Sequence, residues 1–98
     1  MRRLDQAKRG FARRAAASLP ELERAIALLE ADDPGGTEPI RELAHRLHGT
    51  AGSFGFGPLS GAAAEVEDRI DRSAAPAQVA AAAREMAAEL QRLAVRGA

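Results

Sequence analysis

Hydrophobic residues recur at spacings of three and four along most of this chain, which is the period of an amphipathic α-helix. The clearest run lies in the middle of the sequence. Its predicted buried stripe contains Ile40, Leu43, Ala44, Leu47, Ala51 and Phe54. Thr37 is expected to cap this central helix at its N-terminus, and the helix is expected to end at residues 53 to 55.

Two helices are predicted before the central one. Residues 4 to 17 form a weaker amphipathic pattern, and a second helix then runs to about Ala31. Ser18 and Glu21 have the spacing of a capping box, and Pro20 is tolerated in a first turn. Leu19 would extend the apolar seam of the second helix backward, so the first two helices are expected to be nearly continuous, with a bend at Pro20.

Two more helices are predicted after the central one. A short Gly-Phe-Gly turn at residues 55 to 57 is followed by Pro58, in the first turn of a helix that extends to about Arg72. The junction at residues 73 to 76 separates it from a last helix, which carries Val79, Ala83, Met86, Leu90 and Leu93.

The links between these elements are short, so consecutive helices should be antiparallel neighbours. The expected fold is all-α: an antiparallel up-and-down four-helix bundle with an accessory N-terminal helix. Residues 1–98 are expected to form a single domain. Composition agrees, because 46% of the residues are hydrophobic but only three are Phe, with no Trp or Tyr, which favours closely packed helices over a sheet.

Charge and cysteine content exclude several classes of function. Lys and Arg total 14, as do Asp and Glu, which argues against a nucleic-acid or membrane-surface protein that works by bulk charge. No cysteine is present, so disulfides, thiolate metal sites and cysteine nucleophiles are excluded. No apolar run is long enough for a membrane span and no signal peptide is recognised, so the expected location is cytoplasmic.

His45 is the candidate functional residue. At about 100° per residue it points roughly 150° away from the buried stripe, toward water. Gly49 and Gly52 fall on the same outward face, although each helix-interior glycine costs roughly 1 kcal/mol relative to alanine. The pattern indicates that another molecule must come close to His45.

A neutral, solvent-facing imidazole is a nucleophile, but without a pocket it needs a partner to supply the rest of the chemistry. Phosphoryl transfer suits this arrangement. Its catalysis depends mainly on positioning of the reactants and on a metal ion, and the partner can supply both. His48 flanks the same side of the helix and Arg41 lies one turn before, so both are candidate contacts for a phosphoryl group.

The stretch Ala44-His45-Arg46-Leu47-His48-Gly49-Thr50-Ala51, with Gly55 and then Val66-Glu67, resembles the signature of histidine-containing phosphotransfer (HPt) domains of bacterial phosphorelays. In that family a His-x-Leu-Lys-Gly stretch lies on one helix of a four-helix bundle. The resemblance implies that His45 is the phosphoacceptor, through Nε2, and that Gly49 leaves room for the active-site loops of a receiver domain. The position of the family's lysine is occupied by His48, which can still donate a hydrogen bond to a phosphoryl oxygen.

Simpler interpretations stay open for several of these residues. His48 is equally compatible with packing or capping, and a metal site with His45 has no evident third ligand. Gly49 and Gly52 would also permit close packing between helices. Phe56 belongs either to an apolar patch that binds a partner or to the turn after the central helix.

The resemblance implies a phosphoryl carrier without kinase activity of its own, with no cofactor in this chain and with magnesium on the receiver. Its expected partners are response-regulator receiver domains or a hybrid histidine kinase, with no nucleic acid and no membrane, and the chain is expected to be a monomer.

The alternative is a degenerate, non-phosphorylated helical module that docks a receiver or a kinase. An enzyme would need a concave pocket with converging acid–base groups, which the sequence does not indicate.

Overall fold

A computed structural model describes residues 3 to 97, and the side chains of residues 3 to 95. The chain forms α1 (Arg3–Ala17), α2 (Leu19–Glu30), α3 (Thr37–Ser53), α4 (Gly57–Asp71) and α5 (Pro76–Gly97), with a 3₁₀ turn at Pro34–Gly36. No strand occurs in this part of the chain. The predicted all-α class is confirmed.

Helices α2 to α5 enclose most of the core, to which α1 adds Phe11 and Ala15. Each of them packs against two others, because contacts join α2 to α3, α3 to α4, α4 to α5 and α5 back to α2. Helix α1 lies outside this ring, packs mainly on α5 and touches α2. The largest fully buried side chains are Leu22, Ile26, Ile40, Leu59, Val66, Met86 and Leu90.

The junction between α1 and α2 differs from the predicted capping box. Ser18 has helical dihedral angles, and its side chain makes no cap hydrogen bond to α2. Its hydroxyl instead donates to the Arg14 carbonyl at 3.3 Å, while Leu22 N–H donates to the Ser18 carbonyl at 3.0 Å. The capping-box prediction was therefore wrong, because the backbone stays nearly helical through Ser18 and leaves no free N-terminus to cap.

The loop before α3 also differs from its prediction. Thr37 is the first residue of α3 and not its cap, because residues 34 to 36 already form a 3₁₀ turn. The Asp33 carboxylate accepts a hydrogen bond from Gly35 N–H at 2.8 Å and caps that turn. Gly36 is buried, and a Cβ there would lie 2.3 Å from the Ala25 carbonyl oxygen. Only glycine therefore lets this loop approach α2 so closely.

The turn between α3 and α4 follows the prediction closely. Helix α3 ends at Ser53, and Pro58 lies in the first turn of α4. Gly55 has a φ of +82°, in the left-handed region that glycine adopts without strain. Phe56 N–H donates to the Ala51 carbonyl at 2.9 Å and closes the end of α3.

None of the helices within residues 3 to 97 combines the length and the apolar content that a membrane span requires.

Candidate functional site

His45 lies on the outer surface of α3, and its side chain is 80% exposed. Its chain neighbour Ala44 is buried, as is Leu47 two residues later, and these contacts fix which face of the helix carries the imidazole. The outward orientation that the hydrophobic period predicts is therefore present in the structure.

A single carboxylate on α4 holds both histidines of the chain. Nδ1 of His45 lies 3.0 Å from Glu67 Oε2, and Nδ1 of His48 lies 2.8 Å from Glu67 Oε1. An ionised carboxylate only accepts hydrogen bonds, so each Nδ1 must carry the proton. In a neutral ring this leaves the lone pair on Nε2, and neither Nε2 atom makes a hydrogen bond within the described part of the chain.

The two histidine contacts favour the ionised form of Glu67. Partial burial alone would raise the pKa of the Glu67 carboxyl, but the hydrogen bonds and the charges of His45 and His48 outweigh burial and lower that pKa below its usual value. The ionised carboxylate thus accepts a hydrogen bond from each ring, which orients both rings and fixes their tautomer.

The sequence gives only a weak signal for Glu67. It follows the buried Val66 on α4, and it is separated from His45 by 22 positions. Its role depends on how α3 and α4 are aligned along each other, and helical periodicity does not specify that alignment. Its sequence signal is the Val66-Glu67 pair of the family resemblance, which does not assign Glu67 a contact with His45.

His48 is anchored at two points. Its ring contacts Glu67, and its backbone carbonyl accepts a hydrogen bond from the Ser60 hydroxyl at 3.0 Å. The side chain is 50% exposed. His48 is therefore neither a core residue nor a free surface residue, but part of the contact between α3 and α4.

Arg41 lies on the same side of α3, one turn before His45, but its guanidinium contacts acidic residues. Its Nη1 lies 3.1 Å from Asp71 Oδ1 on α4, and its Nε lies 3.7 Å from Glu38 Oε2. The structure thus brings Arg41 to Asp71 and not to the imidazole of His45.

The two glycines beside His45 have different surroundings. A Cβ on Gly49 would meet no atom within 4 Å, so this position is open. A Cβ on Gly52 would lie 3.3 Å from Ser60 Oγ, which is a tight contact with α4. Gly52 therefore also serves the packing of α3 against α4. The position of Gly52 opposite the buried stripe disfavours this role at the level of sequence, but the structure shows the contact. Helix α4 lies along this side of α3, which the stripe alone does not reveal.

Phe56 contacts α1. It is half-buried, its ring centroid lies 5.6 Å from that of Phe11, and Lys8 lies 5.1 Å from its centroid on the ring face. Helix α3 ends at Ser53, so Phe56 lies in the turn after it and not on the helix face that carries His45. The second of the two sequence interpretations, in which Phe56 packs into the turn, describes its position.

The site has no enclosing pocket. An open cavity of about 1030 Å³ lies between α1 and α5, and its lining includes Lys8, Arg9, Phe56 and Leu93 but neither histidine. In residues 3 to 97 no group of three His, Cys, Asp or Glu side chains is arranged to hold a metal ion. The arrangement therefore offers a nucleophilic nitrogen to an approaching molecule and encloses no substrate.

Comparisons with known proteins give one result. A search of curated proteins and a search of solved structures found no match to this chain. The model of the Hpt domain family matches residues 6–95, which include His45, His48 and Glu67. The chain therefore belongs to the Hpt domain family, whose members carry phosphoryl groups and interact with receiver domains and kinases in phosphorelay signalling.

Proposed function

We propose that this chain carries a phosphoryl group on Nε2 of His45 between the aspartates of receiver domains. The observation that carries the proposal is the orientation of the ring: Nδ1 is held by Glu67, and the exposed side chain leaves Nε2 accessible. The open position at Gly49 supports it, because a second protein can approach α3 there without meeting a side chain.

The proposed step moves no proton. The Nε2 lone pair attacks the phosphorus of an aspartyl phosphate, the N–P bond forms, and the O–P bond breaks with its electron pair leaving on the aspartate. The phosphorylated ring is cationic and keeps its Nδ1–H on Glu67. The Glu67 carboxylate therefore lies next to the positive charge that develops during transfer.

The catalytic metal belongs to the partner in this proposal. Magnesium on the receiver would supply charge stabilisation for the phosphoryl oxygens. This chain would supply the nucleophile, its orientation and room for the partner. It would have no kinase activity of its own, since its sequence has no glycine-rich nucleotide-binding loop.

His48 and Arg41 are proposed as contacts for the transferred group. A protonated His48 would keep Nδ1–H on Glu67 and donate Nε2–H to a phosphoryl oxygen. Arg41 would have to leave Asp71 to do the same, which makes it the weaker candidate.

The proposed partner surface comprises the exposed face of residues 41 to 52 and the beginning of α4.

Contacts between consecutive helices and the short links that join them support an antiparallel, up-and-down arrangement of α2 to α5, with α1 as an accessory helix. We expect the chain to act as a monomer in the cytoplasm, where its receiver partners would be found.

To test the proposal, the chain is incubated with phosphorylated receiver domains from the same genome. The acid-labile phosphoryl label transferred to the chain is then measured. His45→Gln should lose most of the label, because His45 is the more exposed of the two imidazoles. His48→Gln and the exposed neighbour variant Arg46→Gln should still be labelled. Unchanged label on His45→Gln would refute the proposal.

The alternative is a docking module that is not phosphorylated, and the presence of His48 where the family has lysine favours it. In that case a receiver would bind the chain, in a titration followed by heteronuclear NMR, without transferring label to it. Transfer to His45 excludes this alternative.

A further inference from the structure

We infer that His48 is a second phosphoryl-acceptor site, through its own Nε2. This inference extends the proposed function of His45 and rests on it for the nature of the phosphoryl donor. The observation behind it is that one carboxylate holds the two imidazoles in the same way, each through Nδ1.

Both rings make the same hydrogen bond to Glu67 through Nδ1. Glu67 accepts from Nδ1 of His45 at 3.0 Å and from Nδ1 of His48 at 2.8 Å, one carboxylate oxygen for each ring. The geometry that makes Nε2 of His45 a nucleophile therefore makes Nε2 of His48 one as well. The difference between them is exposure, which is 80% for the first side chain and 50% for the second.

A partner that reaches His45 would reach His48 with a small displacement. The two residues lie three positions apart on α3, roughly 4.5 Å along the helix axis. The open position at Gly49 directly follows His48, and Thr50 is exposed beside it. The space that admits a receiver to the first ring thus adjoins the second.

Phosphoryl transfer to His48 would follow the same steps as transfer to His45. The N–P bond forms at Nε2 of His48, the O–P bond of the aspartyl phosphate breaks, and the aspartate leaves with the electron pair. The ring becomes a cation whose Nδ1–H stays on Glu67. No proton acceptor, metal or further reactant is required from this chain.

Only one of the two rings should be phosphorylated at a time. Glu67 carries a single negative charge, so it compensates one cationic ring. A phosphoryl dianion on either ring would also repel a second incoming dianion at this short distance. We therefore expect the wild-type chain to accept one phosphoryl group, divided between two positions, with most of it on the more exposed His45.

The experiment uses phosphoramidate, a small phosphoryl donor that releases ammonia and needs no receiver. The chain, His45→Gln, His48→Gln and the double variant are incubated with it, and the sites are mapped by tandem mass spectrometry under neutral conditions. His45→Gln should be labelled on His48 at a rate within about tenfold of the wild type, and the double variant should stay unlabelled. The wild-type chain should gain one phosphoryl group and not two.

Glu67 supplies the matched control, because any exposed imidazole reacts slowly with phosphoramidate. In the His45→Gln background, Glu67→Gln should lower labelling of His48 about tenfold. Glu65→Gln, which removes a carboxylate two positions away that pairs with Arg69, should leave it unchanged. Circular dichroism checks that each variant is folded.

Two results would overturn the second site: no label on His45→Gln above the double variant, or label on His48 that does not depend on Glu67. Its failure is distinct from failure of the proposed function. If phosphorylated receivers label His48→Gln but phosphoramidate does not label His45→Gln, the second site is refuted and His45 stands. If no receiver labels the wild type but phosphoramidate labels His48, the relay role is refuted instead.

Discussion

Charged side chains are paired where α3 contacts α4, but the described ones on the surface of α1 are unpaired. We refer to Arg41, His45, His48, Glu67 and Asp71 as the α3–α4 seam, in which every member is paired across the two helices. Helix α1 carries more basic residues than any other helix, but no ion pair forms among its described side chains. Those basic residues are Arg3, Lys8, Arg9, Arg13 and Arg14.

The difference shows what pairing contributes on the surface of a small bundle. Exposed ion pairs stabilise a fold by only about 0–1 kcal/mol each, so the seam adds little to the free energy of unfolding. Its pairs instead fix the orientation of the two imidazoles. The charges of α1 have no such partners, so they hold no side chain of the site in place.

The largest expected effect is on the seam itself. Glu67→Gln should slow phosphotransfer to His45 by about 10–100-fold, because an amide can donate as well as accept and no longer fixes the proton on Nδ1. Initial rates with a phosphorylated receiver measure this. Glu65→Gln is the control on the same helix, and an equal loss there would show that general charge and not orientation is responsible.

A side chain at Gly49 should separate stability from access. Gly49→Gln enters open space, so the free energy of unfolding should stay the same or rise by up to about 1 kcal/mol as helix propensity improves. Transfer from a receiver should fall about tenfold, because the partner can no longer approach to the same distance. Gly61→Gln on α4, also in open space, should show the same gain in stability with a smaller effect on transfer. Equal effects on transfer would contradict the role of Gly49 in access.

Acid should remove the contribution of Glu67 to stability. Because its pKa is lower in the folded chain than its usual value of 4.5, the contribution is complete above that value and is lost as pH falls through the lowered pKa. The difference in unfolding free energy between the wild type and Glu67→Gln should therefore shrink as pH falls below 4.5. Urea denaturation at a series of pH values measures it. A difference that grows on acidification below 4.5 would reverse the assigned sign.

The smallest effect is expected on α1. The double change Arg9→Glu and Arg13→Glu should alter the rate of transfer to His45 by less than about twofold and the free energy of unfolding by about 0.5 kcal/mol or less, since neither guanidinium is paired. Arg41→Gln in the seam gives the comparison, with an expected loss of up to about 1 kcal/mol. A large loss of transfer from the α1 variant would place that helix in the receiver contact.

Phe54, which the pattern placed in the buried stripe of α3, follows the end of that helix and is only half-buried. Hydrophobic spacing was otherwise sufficient to predict the helices, this stripe and the exposure of His45. Each of these depends on one helix at a time, and the period of a helix is fixed by its backbone. The turn at residues 54 to 56 was also predictable, because glycine and proline mark it directly.

Features that depend on two helices were not predictable in the same way. Glu67 became part of the site only when the alignment of α4 against α3 was known, and the tight contact at Gly52 follows from the same alignment. The predicted caps at Ser18 and Thr37 were wrong because each residue already has helical backbone geometry and so does not begin a helix from an extended chain.

The hydrogen bond from Ser60 to the His48 carbonyl has a consequence for how the site is built. Ser60 and Glu67 are separated by two helical turns, so they lie on one side of α4, roughly 10 Å apart. The first of them contacts the main chain of α3, and the second contacts both rings. A slip of α4 by a single residue would break the hydroxyl contact and rotate the carboxylate away from the imidazoles together. The orientation of both imidazoles is thereby linked to the correct alignment of the helix pair, and a misaligned bundle would lose it.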